Sequence, residues 1–286
     1  MLGAFDRDTA VQRIDADRSP AGAAAAAASF AVEVSPDWRA GRGPHGGYLA
    51  AMLLRALTET VAEEARPPRS LTIHYARAPE PGPAVIHTVI ERGGRSLSTL
   101  SARMEQEGSL VALALAAFSV PWTAPEIQTL QMPAVAPPDP ERKPGAPFKG
   151  APSFTHHIVV QPRMGTLPFT DPEQPMEIGA WLGLAEPRAI DALSLAFYCD
   201  AMFPSPFVRL TEFTPVPTVD LTIHFRTSMP RVANPDPNEL CLAHFSCGVI
   251  HEGFFEEDGI IWAADGAVLA QSRQVGIVMG RQGGGA

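Results

Sequence analysis

Apolar and polar residues alternate over positions 70–75, with Leu71, Ile73 and Tyr75 on one face and Ser70, Thr72 and His74 on the other. A period of two predicts a strand with one buried face. RSLSTLSARMEQEGSLVALALAAFSV, residues 95–120, continues with two longer strands around a turn at Gln106–Ser109. GGYLAAMLLRALTETVAEEA, residues 46–65, reads differently: it follows a glycine pair, is apolar on nearly every side through Leu57, and turns acidic before Pro67 and Pro68. That predicts a helix that something must wrap.

The same order of patterns returns later. FTHHIVVQPRM (154–164) and EIGAWLGLA (177–185) predict leading strands, and PRAIDALSLAFYCDAMF (187–203) predicts a helix stopped by Pro204. VPTVDLTIHF, ELCLAHFSCGVI, GFFEEDGIIWAAD and GAVLAQSRQVGIVM complete a second set of strands. Between the two sets, residues 121–153 contain PAVAPPDPERKPGAPFKGAP, too rich in proline and glycine for a helix or an interior strand.

The recurrence extends to the letters. LTIHYAR (71–77) and LTIHFRT (221–227) stand 150 residues apart, 221 − 71, and so do YLAAM (48–52) and YCDAM (198–202). Two matches at one offset argue for an internal duplication. EGSLVALA (107–114) and DGAVLAQS (265–272) align at 158, 265 − 107, so the second copy carries eight extra residues, 158 − 150, which fit the turn-rich MPRVANPDPNE. The expected architecture is α+β: residues 1–120 form one unit, 121–153 a Pro-rich linker, and 154–286 a second unit. A helix rolled in an antiparallel sheet is the hot-dog fold, so two tandem sheets, each wrapped around a central helix, make a double hot-dog.

Composition narrows the function. With 286 residues and 45% hydrophobic content the chain can bury a large core. A net charge of −9 excludes a nucleic-acid footprint. Cys199, Cys241 and Cys247 are odd in number and lack metal-type clustering, which predicts free thiols, no metal and a cytoplasmic protein. No run approaches the roughly 18 apolar residues of a membrane span. The alanine tract of residues 21–32 resembles a signal-peptide core but follows the acidic DRDTAVQRIDAD without a basic start.

Duplication also supplies an internal control, because a polar residue whose repeat partner is apolar has left the shared structural role. Asp200 faces Ala50, Thr218 faces Pro68, and Gln274, at the later offset, faces Ala116. Asp200 sits among Phe197, Tyr198, Cys199, Met202 and Phe203, where a carboxylate must find donors or stay protonated. A carboxylate, a hydroxyl and a carboxamide do not make a covalent nucleophile, but they can hold and deprotonate a water, which points to hydrolysis. Asp220, two residues after Thr218 and on the same face of a regular strand, is a competing carboxylate.

GPHGGYLAAMLLRA, SLTIHYARAPEPG, GRSLSTLSARMEQEG and AQSRQVGIV together resemble the acyl-CoA thioesterase II family and related double-hot-dog thioesterases, over nearly the whole chain. In that family an aspartate on the second helix, a threonine opening the next strand and a glutamine on the last strand orient the attacking water. The resemblance carries these roles to Asp200, Thr218 and Gln274. One departure is that the family often has a histidine directly after the aspartate of this strand, where this chain has Leu221 after Asp220.

The reading is hydrolysis of acyl-CoA thioesters without a cofactor. Backbone N–H groups of Gly46 and Gly47 bind the substrate carbonyl at a helix N-terminus, and Arg92, Arg95 or Arg273 meet CoA phosphates. Dimers are the default assembly. A non-catalytic acyl-thioester or lipid-binding protein is the alternative. A hydratase using His74 or His224 is disfavoured because the two are repeat equivalents, Cys199 beside Asp200 reads as inert, and His156 and His157, adjacent in a strand, would face opposite ways.

Overall fold

In a computed structural model, which describes residues 2–14, 27–145, 152–170 and 172–279, the first repeat opens with a short helix α1 (Ala4–Asp8) and strands β1 (Gln12–Ile14) and β2 (Ala27–Val34). Residues 21–26 of the alanine tract lie outside the described residues, and its remainder is β2. A small hairpin, β3 (Arg39–Ala40) and β4 (Gly43–Pro44), leads into helix α2 (Gly46–Val61). Strands β5 (Pro68–Tyr75), β6 (Gly82–Gly93), β7 (Leu97–Gln106) and β8 (Ser109–Ser119) follow. The second repeat runs β9 (Ile158–Met164), β10 (Glu177–Leu184), α3 (Ala192–Tyr198), β11 (Thr218–Phe225), β12 (Cys241–Ser246), β13 (Ile250–His251), β14 (Phe254–Trp262) and β15 (Val268–Ile277).

Each helix is made by its local sequence. His45 caps α2, accepting the Tyr48 N–H on its ring, and Ala62 ends the helix in a left-handed conformation (φ 51°). Asp191 and Ser194 form a reciprocal capping box at the start of α3. Residues from Gly47 through Leu57 of α2 are almost all buried, as an apolar helix demands. Each fully buried leucine or methionine there contributes about 1.5–3 kcal/mol.

The strands form one 13-stranded sheet rather than two. Its main path is β1-β2-β6-β7-β8-β5-β11-β15-β14-β12-β10-β9, with β13 attached to β14. The repeats join where β5 pairs antiparallel with β11, each supplying the edge that the other would leave open. In that pairing Thr72 lies opposite Thr222, and their hydroxyls are 3.1 Å apart. These residues are repeat equivalents, so the pseudo-twofold axis passes between them. The repeated LTIH segment is therefore the seam of the molecule. A single apolar cluster draws on both repeats and includes α2 and α3, which pack against each other.

Two expectations about local structure need correction. Helix α3 is much shorter than predicted: after Tyr198 the backbone tightens, with Asp200 N–H bonded to the Phe197 carbonyl, so Asp200 lies in the turn beyond the helix. His156 and His157 belong to a 3-10 turn (Ser153–His157), not a strand, and His157 stacks on Trp38 at 4.4 Å. The segment after β8, expected as a linker, also packs on the sheet. Residues 121–143 carry no helix or strand, yet Met132 and Val135 pack on Val159, Trp181, Leu242 and Trp262, on the sheet face turned away from the helices. Gln128 bonds the Gly266 carbonyl and the Val268 N–H, and Trp181 Nε1 donates to the Ala136 carbonyl.

Helix α1, which the hydrophobic pattern did not announce, ties the repeats together. Asp6 pairs with Arg55 of the first repeat and Arg188 of the second, and Phe5 meets both Trp38 and Phe197.

Candidate active site

The N-terminus of α2 meets the turn after α3, so a helix of one repeat is completed by a side chain of the other. Helix starts leave N–H groups without intrahelical partners. Here the Tyr48 N–H goes to His45 Nδ1 (3.3 Å) and the Gly47 N–H to Asp200 Oδ2 (2.7 Å). The Gly46 N–H has no partner among the described hydrogen bonds, and Gly46 is partly exposed. Because Nδ1 of His45 accepts, the ring hydrogen is on Nε2, which donates to the Asp200 carbonyl at 2.7 Å and stands 3.6 Å from Asp200 Oδ2. Burial holds His45 neutral, pushing its pKa down, with Asp200 opposing.

Both glycines are there because the turn comes so close. A Cβ on Gly47 would lie 2.6 Å from the Phe197 carbonyl oxygen and 3.1 Å from Asp200 Cβ. One on Gly46 would lie 2.8 Å from Asp200 Oδ2 and 3.4 Å from the Tyr75 hydroxyl, which donates to the Gly46 carbonyl. Burial raises the Asp200 pKa above the usual carboxylate range, while His45 and the Gly47 N–H pull it back. Burial, then the Asp200 charge, raises Tyr75 well above the phenol range, so it stays a hydroxyl donor.

Thr218 and Gln274 meet on the inner face of β11 and β15. The Thr218 hydroxyl donates to Gln274 Oε1 at 3.1 Å, and Gln274 Nε2 donates to Glu257 Oε1 at 2.6 Å. Glu257 Oε2 accepts the Ser205 N–H at 2.5 Å. Burial raises the Glu257 pKa, its bonds to Ser205 and Gln274 oppose this, and the nearby Asp200 charge adds to it. The Asp200 charge thus bears on Glu257, while no described hydrogen bond joins Asp200 to Thr218 or Gln274.

The strand register assigns the repeat equivalences. Leu71 pairs with Ala116 and Leu221 with Gln274, while Pro68 pairs with Phe118 and Thr218 with Gly276. A β-bulge follows both Pro68 and Thr218. It corrects the expectation that Thr218 and Asp220 share a face: Thr218 turns inward with Gly276, and Asp220 turns outward opposite Val275 and His74. Asp220 is thereby removed from the site. His74 and His224 are exposed on the outer face.

The predicted arginines are elsewhere. Arg95, in the β6–β7 turn, accepts on its carbonyl a bond from Arg66 beyond the far end of α2, and a 16-residue helix is about 24 Å long. Arg92 is exposed on the same β6–β7 hairpin. Arg273 faces outward in a two-bond pair with Asp258.

A family model described as the acyl-CoA thioesterase N-terminal domain matches residues 34–119, and one described as the acyl-CoA thioesterase C-terminal domain matches residues 133–278. The chain belongs to the acyl-CoA thioesterase family. Among relatives of this family member, an uncharacterized protein of Mycobacterium tuberculosis is 26% identical over 275 residues, covering 87% of this chain and 90% of its own. A solved hot-dog-fold protein of unknown function from Alicyclobacillus acidocaldarius superposes with a TM-score of 0.82 at 25% identity, over 98% of this chain and 99% of that one. A putative thioesterase II from Thermobifida fusca gives 0.76 at 25% identity, over 97% and 98%.

Three residues around this family member's candidate site escaped the sequence comparison, although the same control reaches two of them. At the 150-residue offset His45 faces Leu195, and Tyr75 faces Phe225, which lacks the hydroxyl. Glu257 was hidden by a slip in register. Through the strand pairing it is equivalent to Leu100, an offset of 157 (257 − 100) that neither sequence match uses. Seven of the eight extra residues therefore precede Glu257, and the eighth lies between it and Gln274.

Proposed function

We propose that the protein hydrolyses acyl-CoA thioesters with a water activated by Asp200 and held by Thr218 and Gln274. The observation that carries this reading is the contact of the Asp200 carboxylate with the N-terminus of α2, beside the open Gly46 N–H. A base and a donor for a developing oxyanion then stand side by side. Asp200 takes a proton from water as the water oxygen adds to the thioester carbonyl carbon. The negative oxygen is held at the Gly46 N–H, since Gly47 already donates to Asp200. Collapse breaks the C–S bond, and the thiolate of CoA receives the proton, leaving the free acid.

Thr218 donates to Gln274, so its oxygen is left to accept from the water. Its raised pKa suits Asp200 to exchange a proton closer to neutrality than a free aspartate would. The acyl chain lies along the apolar helices inside the sheet, in a double hot-dog whose units are residues 1–120 and 154–286, joined by 121–153. A homodimer in the cytoplasm completes the proposal.

The test is release of free thiol from a panel of acyl-CoAs by wild type and Asp200→Asn. Loss on the order of 10²- to 10⁴-fold in the variant supports the assignment. Binding of acyl-CoA by wild type without thiol release above background overturns the enzyme reading in favour of a non-catalytic binder, and a fully active Asp200→Asn overturns the site alone.

A further inference from the structure

We propose that Glu257 is a positioning residue of this site, one that fixes the Gln274 amide and ties the turn carrying Asp200 to the same strand pair. The inference rests on the thioesterase reading above but stands on its own geometry. Glu257 is 4% exposed, lies directly opposite Gln274 in the β14–β15 ladder, and binds Gln274 Nε2 with one oxygen and the Ser205 N–H with the other. No cation pairs with it among the described residues.

A carboxylate accepts and does not donate, so it dictates which end of the Gln274 amide faces it. The NH2 group turns to Glu257 and the carbonyl oxygen must face Thr218, whose hydroxyl hydrogen is thereby committed. Without Glu257 the amide could reverse; Thr218 would then accept from Gln274, and its freed hydroxyl hydrogen would be offered to the oxygen of the attacking water. The second oxygen reaches Ser205, five residues after Asp200, so one side chain sets both the glutamine and the loop of the base.

The scaffold itself does not ask for this residue. In the first repeat the equivalent pair is Leu100 and Ala116, both buried and apolar. A buried carboxylate without a cation is costly in stability. The two positions carry polar residues together in the second repeat only, where Asp200 and Thr218 also stand.

The experiment compares Glu257→Gln and Glu257→Leu in the wild-type and Gln274→Ala backgrounds, reading kcat and KM for acyl-CoA hydrolysis, Tm, and the side-chain amide 15N–1H signals of Gln274. Those signals are identified by their loss in Gln274→Ala. Glu257→Leu lowers kcat on the order of 10²-fold, as misplacing a reactive group does, with KM nearly unchanged. Glu257→Gln, which keeps one acceptor for Gln274, falls between it and wild type. In the Gln274→Ala background either substitution costs less kcat than it does in wild type, the remainder being the tie to Ser205. The Gln274 amide hydrogens exchange slowly in wild type and rapidly in Glu257→Leu. Equal kcat in wild type and Glu257→Leu overturns the proposal, as does a loss that is fully additive with Gln274→Ala. If wild type releases no thiol, the function is lost but the amide signals still decide: unchanged exchange in a folded Glu257→Leu protein overturns the positioning role.

Discussion

Asp200 Oδ2 accepts the Gly47 N–H at 2.7 Å, so an acid of the second repeat closes the helix of the first. The helix N-terminus favours negative charge, while burial of Asp200 opposes it. The turn that offers the carboxylate can approach only because positions 46 and 47 lack side chains. Neither repeat holds the candidate site alone: the first supplies the helix start, His45 and Tyr75, and the second supplies Asp200, Thr218 and Gln274.

Substituting the two glycines separates closeness from chemistry. In Gly47→Ala the new methyl meets a backbone oxygen, which cannot swing aside, so α2 must move off the turn. Both Tm and kcat fall. In Gly46→Ala it meets the Asp200 carboxylate, which can rotate. Here kcat falls on the order of 10²-fold because the displaced carboxylate no longer faces the water, while Tm changes by only a few degrees. Thermal melts paired with thiol-release assays check this, and a Gly46→Ala enzyme with full activity contradicts the assignment.

The raised Asp200 pKa fixes the sign of two pH effects. An acid with its folded pKa above 3.8 binds protons more tightly folded than unfolded, so the contribution of Asp200 to stability is fully present below 3.8 and is lost as pH rises through the folded value. Activity runs the other way, rising as Asp200 ionises. Asp200→Asn removes this part of the slope, so its Tm declines less than that of wild type between acid and neutral pH. Melting both proteins across that range tests it, and parallel curves would refute a raised pKa at Asp200.

Much of the fold was legible because two periodicities, 2 and 3.6, recur in the same order in each repeat, and because LTIHYAR and LTIHFRT fixed their alignment. What that alignment could not show is that the two segments pair with each other, since an edge strand carries no letter naming its partner. The joining of two expected sheets into one therefore had to come from the structure. Asp200, Thr218 and Gln274 were visible as polar residues with apolar partners. Glu257 was not, because one extra residue between it and Gln274 shifted its true partner from Thr99, at the offset of 158, to Leu100. Asp220 misled for a related reason: a bulge breaks the alternation on which face assignment depends.

Cys199 adjoins Asp200 and is held as a neutral thiol. It is fully buried, and burial pushes its pKa to about 12, a bond from Ser272 only partly opposing this. Burial holds Cys247 up as well, at about 11. At neutral pH the folded protein therefore reacts with thiol reagents far more slowly than the denatured chain does, and Cys199→Ala keeps its thioesterase activity within a few-fold. Rapid labelling of the native protein at Cys199, followed by loss of activity, would reverse that conclusion.

The crossing segment after β8 offers a stability test that should leave the chemistry alone. Val135 packs with Met132 on Trp181 and Trp262, on the face of the sheet opposite α2 and α3. Putting a carboxylate there, as in Val135→Asp, sets a charge against a tryptophan-rich surface and should destabilise the fold by about 1–3 kcal/mol. Because Gln274 and Glu257 point to the other face, kcat at a temperature well below the melt stays near the wild-type value. Chemical denaturation measures the first quantity and thiol release the second. If Val135→Asp were as stable as wild type, the segment would be a tether after all, and the contacts made by Gln128 and Trp181 would have to hold that face without it.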